Sequence, residues 1–143
     1  MKKLTSALLS LVMLMSVLCV PARAAAQTDC LQAIASVDED AGTVTVVFST
    51  KENTTNGKFT VEFDSIRLIL KDATVNGTLG NVELTDTAVT FSYATTTAAA
   101  IKAGETVATI VFAIVGSWIF TELNTKVLEF NANERMNATL PII

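Results

Sequence analysis

A chain of 143 residues with a net charge of −4 has the size of one domain, and its acidic balance excludes nucleic acid as an expected partner. It contains no histidine, the commonest general base near neutral pH, and no Gly-x-Ser-x-Gly elbow, so the usual signatures of acid–base and acyl-transfer enzymes are missing. Half of the residues are hydrophobic and only two are cysteine, so stability has to come from an apolar core.

Lys2 and Lys3 precede a mostly apolar stretch, Leu4 to Val20, which is followed by Pro21 and Ala22-Arg23-Ala24-Ala25-Ala26. A positive start, an apolar segment and small residues at its end read as a secretory signal peptide. Cleavage is expected after Ala24 or Ala26, each with alanine at −1 and −3. Taking Ala26 divides the chain into a leader, residues 1–26, and a secreted domain, residues 27–143. An uncleaved anchor would need about 20 apolar residues to span a bilayer, more than this stretch offers. Ser16 and Leu18 spoil a lipoprotein motif around Cys19. No membrane span is expected after cleavage. Loss of Lys2, Lys3 and Arg23 leaves seven basic residues against fourteen acidic ones and moves the net charge from −4 to −7. Such a surface suits solubility outside the cell and would attract divalent cations or a basic protein. Of the two cysteines only Cys30 survives, so no internal disulfide can form. It reads as a small, partly buried residue, with an intermolecular disulfide as the alternative.

Beyond Cys30 the apolar segments are short and the turn residues frequent, the rhythm of an all-β chain. Leu31 to Val37 forms a first strand, closed by Asp38-Glu39-Asp40-Ala41-Gly42. In Thr43 to Thr50 the two-residue period puts Val44, Val46 and Phe48 on one face. Lys51 to Gly57 is a polar loop. Lys58 to Asp64 opposes Phe59, Val61 and Phe63 to Lys58, Thr60 and Glu62, giving a core face and a wet face. Ser65 to Val75 carries Ile66, Leu68, Ile69 and Leu70 and ends at the turn signal Asn76-Gly77. After Gly80-Asn81 comes a short strand at Val82 to Leu84, then Ala88 to Ala94 with Val89, Phe91 and Tyr93 on one side. Thr95 to Ile101 reads as loop with at most a helical turn. Lys102 to Gly116 combines a glycine turn with a β-branched apolar run, which predicts a central strand covered on both faces. Trp118 to Asn131 supplies a last long strand or strand pair. Eight or nine strands of this kind predict a two-sheet β-sandwich in jelly-roll or immunoglobulin-like order, with Phe59, Phe63, Phe91 and Phe112 sharing its interior.

The order of these features resembles a cohesin domain: Phe63-Asp64 and then Ser65-Ile66-Arg67-Leu68, Val89-Thr90-Phe91-Ser92-Tyr93-Ala94, and Gly104-Glu105-Thr106-Val107-Ala108-Thr109-Ile110-Val111-Phe112. Cohesins have an aromatic-Asp-Pro-x-x-Leu step after their third strand and a late Gly-x-x-Ala-x-Ile-x-Phe-like strand. The likeness runs from about Leu31 to Glu134. It implies a nine-stranded jelly-roll sandwich and a non-catalytic receptor that clasps dockerin modules, so that polysaccharide-degrading complexes assemble outside the cell. In that family the clasping surface is the flat outer face of one sheet, including the third and sixth strands. Carried across, it implies partner-binding roles for Asn56, Lys58, Thr60, Glu62, Thr90, Ser92 and Thr95. The chain departs from the pattern at Lys58, where the family often has an acid, at Ser92 and Thr95, where it uses leucine and glutamate, and at Ser65, where it usually has proline.

Other candidates are weaker. Glu62 and Asp64, two apart on a strand, could form a carboxylate pair. A glycosidase, however, needs two carboxyls flanking its substrate about 5 to 9 Å apart, and two charges on a solvated strand face are the ordinary outcome. No catalytic residue and no cofactor are expected. Asp38-Glu39-Asp40 could attract calcium but lacks the ligand spacing of an EF-hand or dockerin loop, so it reads as a solvated turn with no metal site. Trp118 and Phe120 would point the same way on a strand and could form a sugar-stacking platform. They carry the alternative reading of a carbohydrate-binding module with polysaccharide as its partner. A third reading, a structural subunit of a surface assembly, would show an unpaired edge strand or Cys30-linked dimers.

Overall fold

The computed structural model describes residues 23–116, 121–133 and 135–142. Among them, strands pair antiparallel in two five-stranded sheets. The first sheet runs in the order β1 (Arg23–Gln27), β2 (Leu31–Asp38), β3 (Thr43–Thr50), β8 (Thr106–Ile114), β5 (Leu68–Val75). The second runs β10 (Ala138–Pro141), β9 (Glu122–Phe130), β4 (Asn56–Glu62), β7 (Ala88–Ala94), β6 (Leu79–Leu84). The chain is therefore the all-β, two-sheet sandwich that its alternation predicts, and Thr97–Ala99 adds a helical turn of 3-10 type inside the segment read as loop.

Alternation decides what each strand buries. In β3, Val44, Val46, Phe48 and Thr50 point inward; in β7, Val89, Phe91 and Tyr93 do. The two sheets meet on aromatic rings. Phe59 lies 5.2 Å from Phe48 and 5.1 Å from Phe91, centroid to centroid, while Phe63 and Phe112 pair at 4.9 Å. These tilted contacts add to an area term of about 1.5–3 kcal/mol for each fully buried ring. Phe59, Phe63, Phe91 and Phe112 thus share one interior, as expected.

Several segments differ from the sequence reading, each for a local reason. β5 starts at Leu68 because Asp64 breaks the chain into a turn: its carbonyl accepts from the backbone N–H groups of Arg67 and Leu68 at 3.1 and 2.9 Å. That turn leaves Ile66 on the surface. β8 is an interior strand, flanked by β3 and β5, but it is not covered on both faces. Val107, Ala108, Ile110 and Phe112 are buried, whereas the outward Thr109, Val111 and Ala113 are only half-buried. Their shelter comes sideways, from Thr45 and Val47 on β3 and Asp72 and Thr74 on β5, so branched residues here fit a pleated surface with lateral neighbours and no third layer. β10 had no counterpart in the sequence reading; its Pro141 is tolerated because β10 is an edge strand of the described sheet. Arg23–Gln27, assigned from sequence largely to the leader, pairs along its whole length with β2.

Cys30 is fully buried in the turn before β2, and loss of hydration pushes its thiol pKa up. A Cys30-linked dimer would require that turn to open.

Candidate functional site

The outward positions of the second sheet form a nearly continuous polar plateau across four adjacent strands. On β4 they are Asn56, Lys58, Thr60 and Glu62; on β7, Thr90, Ser92 and Ala94; on β9, Asn124, Lys126 and Glu129; on β6, Leu79, Asn81 and Glu83. Cross-strand register fixes which of them meet. Thr60 and Thr90 face each other with their hydroxyls 2.9 Å apart, and Lys126 Nζ reaches Glu62 Oε1 at 2.7 Å. Lys58 stands between Ser92 on one side and Glu129 on the other. Opposite charges are thus neighbours along the plateau, which favours these cross-strand pairings and keeps each charge in water.

Of the seven residues carried over from the cohesin resemblance, the structure brings Lys58, Thr60, Glu62, Thr90 and Ser92 together on this face. Asn56 and Thr95 sit at strand ends, and their side chains hold loops. Asn56 Oδ1 accepts from the backbone N–H of Ala132 at 2.9 Å, clamping the turn after β9, where Asn131 and Ala132 have φ of 49° and 64°. Thr95 Oγ1 donates to the carbonyl of Ala99 at 3.0 Å and lies 3.2 Å from the hydroxyl of Thr78.

Beneath that end of the plateau lies a buried polar knot. The Tyr93 hydroxyl is 2.9 Å from Thr54 Oγ1, which in turn reaches Asn131 Oδ1 at 3.0 Å. The Tyr93 ring runs directly under Gly57, where an added Cβ would come within 2.5 Å of the phenolic oxygen. Burial, partly offset by the Thr54 hydrogen bond, pushes the Tyr93 pKa up to about 12.

Residues on β9 were missed in the sequence, although a signal was present. Leu123, Thr125 and Val127 alternate inward, but the next inward residue is Phe130, so the period breaks by one. The break is a bulge opposite Lys58 and Phe59 that turns both Leu128 and Glu129 outward, leaving Leu128 47% exposed on a mostly polar surface that also carries Leu79 on β6.

The remaining candidates resolve locally. Glu62 and Asp64 do not act as a pair: Glu62 is bound to Lys126, and Asp64 bridges to Arg67 Nε at 3.1 Å while accepting from the N–H of Ile66. Both line an open hollow at the end of the sandwich with Thr87, Thr121, Glu122 and Asn124. Asp38 accepts from the N–H of Ala41 at 3.1 Å, which makes its cluster a hydrogen-bonded turn, and among the described residues no acidic group gathers as a metal-ligand set. Trp118 and Phe120 lie outside the described residues. Among the described residues no helix is long and apolar enough to cross a membrane.

No family model and no curated protein matches the chain. Solved structures do. The fold is similar to that of the seventh ScaB type I cohesin of Pseudobacteroides cellulosolvens, at 17% identity and a TM-score of 0.53 over 70% of this chain and 77% of that one. It is similar to the sixth cohesin of Acetivibrio cellulolyticus scaffoldin B, solved in complex with a dockerin, at 14% identity and a TM-score of 0.51 over 72% and 82%. The cohesin module of a family 33 glycoside hydrolase from Clostridium perfringens matches at 8% identity and a TM-score of 0.52, covering 82% of this chain and 94% of that module. The chain therefore has a cohesin-like fold, reached with little sequence identity.

Proposed function

We infer that this chain is an exported, non-catalytic docking module whose second-sheet plateau clasps a protein module of the dockerin type in an extracellular assembly. One observation carries the reading: Lys58, Thr60, Glu62, Thr90 and Ser92, which the cohesin resemblance assigns to partner contact, fall together on adjacent strands of a single sheet face. The fold likeness supports it, since several of the similar cohesins were solved with a dockerin bound. The plateau spans four strands and can supply the roughly 800 Å² per partner typical of specific complexes. Its polar rows give direction and selectivity, and Leu128 adds an apolar contact point near the bulge. Lys58 replaces an acid common in the family, so the partner's matching position should be acidic or neutral.

The test is a binding panel by calorimetry: the purified protein against dockerin modules, with and without calcium, and against insoluble polysaccharides. Saturable binding to a dockerin that is lost on Lys58→Glu together with Thr90→Arg supports the reading. Retention on polysaccharide with no dockerin bound would replace it with the carbohydrate-binding alternative, which Trp118→Ala would then probe.

A further inference from the structure

The alanines that read as leader-cleavage motifs are the same alanines that build β1. Both motifs, Ala22-x-Ala24 and Ala24-x-Ala26, place the cut inside or at the end of Arg23–Gln27, so use of either would remove part or nearly all of a paired strand. That strand is well integrated. All five of its residues pair with β2, from Arg23 opposite Ser36 to Gln27 opposite Gln32, and Ala26 packs against the core beside Ala33 and Phe48.

The connection to β2 is also built for a continuous hairpin. The N–H of Thr28 donates to the carbonyl of Leu31 at 2.8 Å, and the Thr28 hydroxyl accepts from the N–H groups of Leu31 and Cys30 at 2.8 and 3.2 Å. Thr28 and Cys30 are buried in this turn. Lys51 Nζ lies against it, donating to Gln27 Oε1 at 3.2 Å and to the Thr28 carbonyl at 3.3 Å. A cut after Ala26 would create a free ammonium at Gln27, close to the Lys51 ammonium and without a strand to hold it. It would also strip the outer edge of β2, eight residues with neither lysine nor proline to deter pairing with another chain. β1 is a safer edge: it is short and carries arginine at its start.

We propose that β1 is part of the exported protein and that signal peptidase cuts between Ala22 and Arg23. Val20-Pro21-Ala22 offers alanine at −1 and a short branched valine at −3, with the proline at −2 and clear of the cut. Val20 closes the apolar stretch that begins at Leu4, and Pro21 and Ala22 complete the cleavage region. In the reaction, water adds across the Ala22–Arg23 amide; Ala22 leaves with a carboxylate, and Arg23 becomes the ammonium-bearing first residue. Only Lys2 and Lys3 are lost, so the net charge moves from −4 to −6. The inference rests on the export reading but not on the identity of any partner.

The experiment expresses the full chain in an exporting bacterium and determines the first residue of the exported protein by intact mass and N-terminal sequencing. Arg23 is the expected first residue. A start at Ala25 or Gln27 overturns both the cut and the retention of β1, and any other first residue overturns the cut. A chain still beginning at Met1 overturns the cut and the export reading together. Two variants separate the motifs. Ala24→Leu breaks both downstream motifs at once, being −1 of one and −3 of the other, and processing should continue undiminished. Ala22→Leu should abolish the mature species and accumulate precursor. The opposite pattern overturns the proposal.

Discussion

On the first sheet, the outward residues of the interior strands β2, β3 and β8 include Gln32, Ile34, Ser36, Thr45, Val47, Thr109 and Val111, with a charge only at the end of β2, Asp38. On the second sheet, the corresponding positions of β9, β4 and β7 include Lys126, Glu129, Lys58 and Glu62 beside Thr60, Thr90 and Ser92. The inner faces of the two sheets are alike, both filled by phenylalanine and branched aliphatics, so the difference does not come from folding requirements. A half-buried threonine–valine surface satisfies the pleat and rejects nothing. A surface of alternating charges discriminates, because a partner with the wrong sign at one row meets like charge. Under the proposed docking function, this contrast favours the second sheet as the partner-facing side.

The strongest way to break the contrast is to lift the plateau off its support. Gly57→Ala would drive a Cβ into the buried Tyr93 ring, which the hydrogen bond to Thr54 holds in place. Overpacking of this kind costs about 1–3 kcal/mol or more. Urea unfolding should show that loss together with weakened partner binding. On the first sheet, the outward Val47→Thr should leave binding unchanged and shift stability by less than about 1 kcal/mol.

Charge reversal sharpens the contrast directly. Lys58→Glu places a carboxylate opposite Glu129, and partner affinity is expected to fall about 10–100-fold, the size of one displaced charge contact. The control, Thr45→Glu, adds the same charge to the other face and should change affinity by less than about 2-fold. Equal losses from the two variants would show that the faces are not functionally distinct.

Much of this architecture was legible in the sequence. Thr43–Thr50 and Ala88–Ala94 match their strands residue for residue, because strict alternation bounded by turn residues leaves no other register. The plateau residues of β4 and β7 followed from that alternation together with the cohesin resemblance. What escaped was non-local. Asn56 reads as a surface amide, and only the fold brings it to Ala132, 76 positions away. The bulge on β9 was visible as a skipped beat at Leu128-Glu129, but periodicity alone does not say what lies opposite. β1 overlaps the expected leader, and its alanines are the same letters that read as cleavage motifs, so the sequence alone does not separate strand from leader.

The support under the plateau also has a pH signature. Tyr93 is the single tyrosine of the chain, so phenolate absorbance reports it alone. Its pKa in the fold is about 12, above the ordinary value of 10.0. The unfolded chain therefore loses this proton first. The stabilisation is complete below pH of about 10 and is lost as the pH rises toward about 12, a change of up to about 3 kcal/mol. Tyr93→Phe should flatten that alkaline slope. A phenolate midpoint near the ordinary value would mean that the ring is hydrated and that the plateau has no rigid floor at Gly57.

The smallest expected effect tests whether the plateau's charges serve folding at all. Lys126 and Glu62 meet at 2.7 Å, but both side chains are about half exposed, at 50% and 42%, and water competes for each. Exposed pairs contribute about 0–1 kcal/mol, and salt weakens them further. A double-mutant cycle with Lys126→Met and Glu62→Gln should give a coupling below about 0.5 kcal/mol in urea unfolding at physiological salt. In partner binding, the same two variants should each cost more than they do in stability, because docking removes the water that competes with the pair. A stability coupling as large as the binding loss would make this ion pair a structural clamp that serves folding and not recognition.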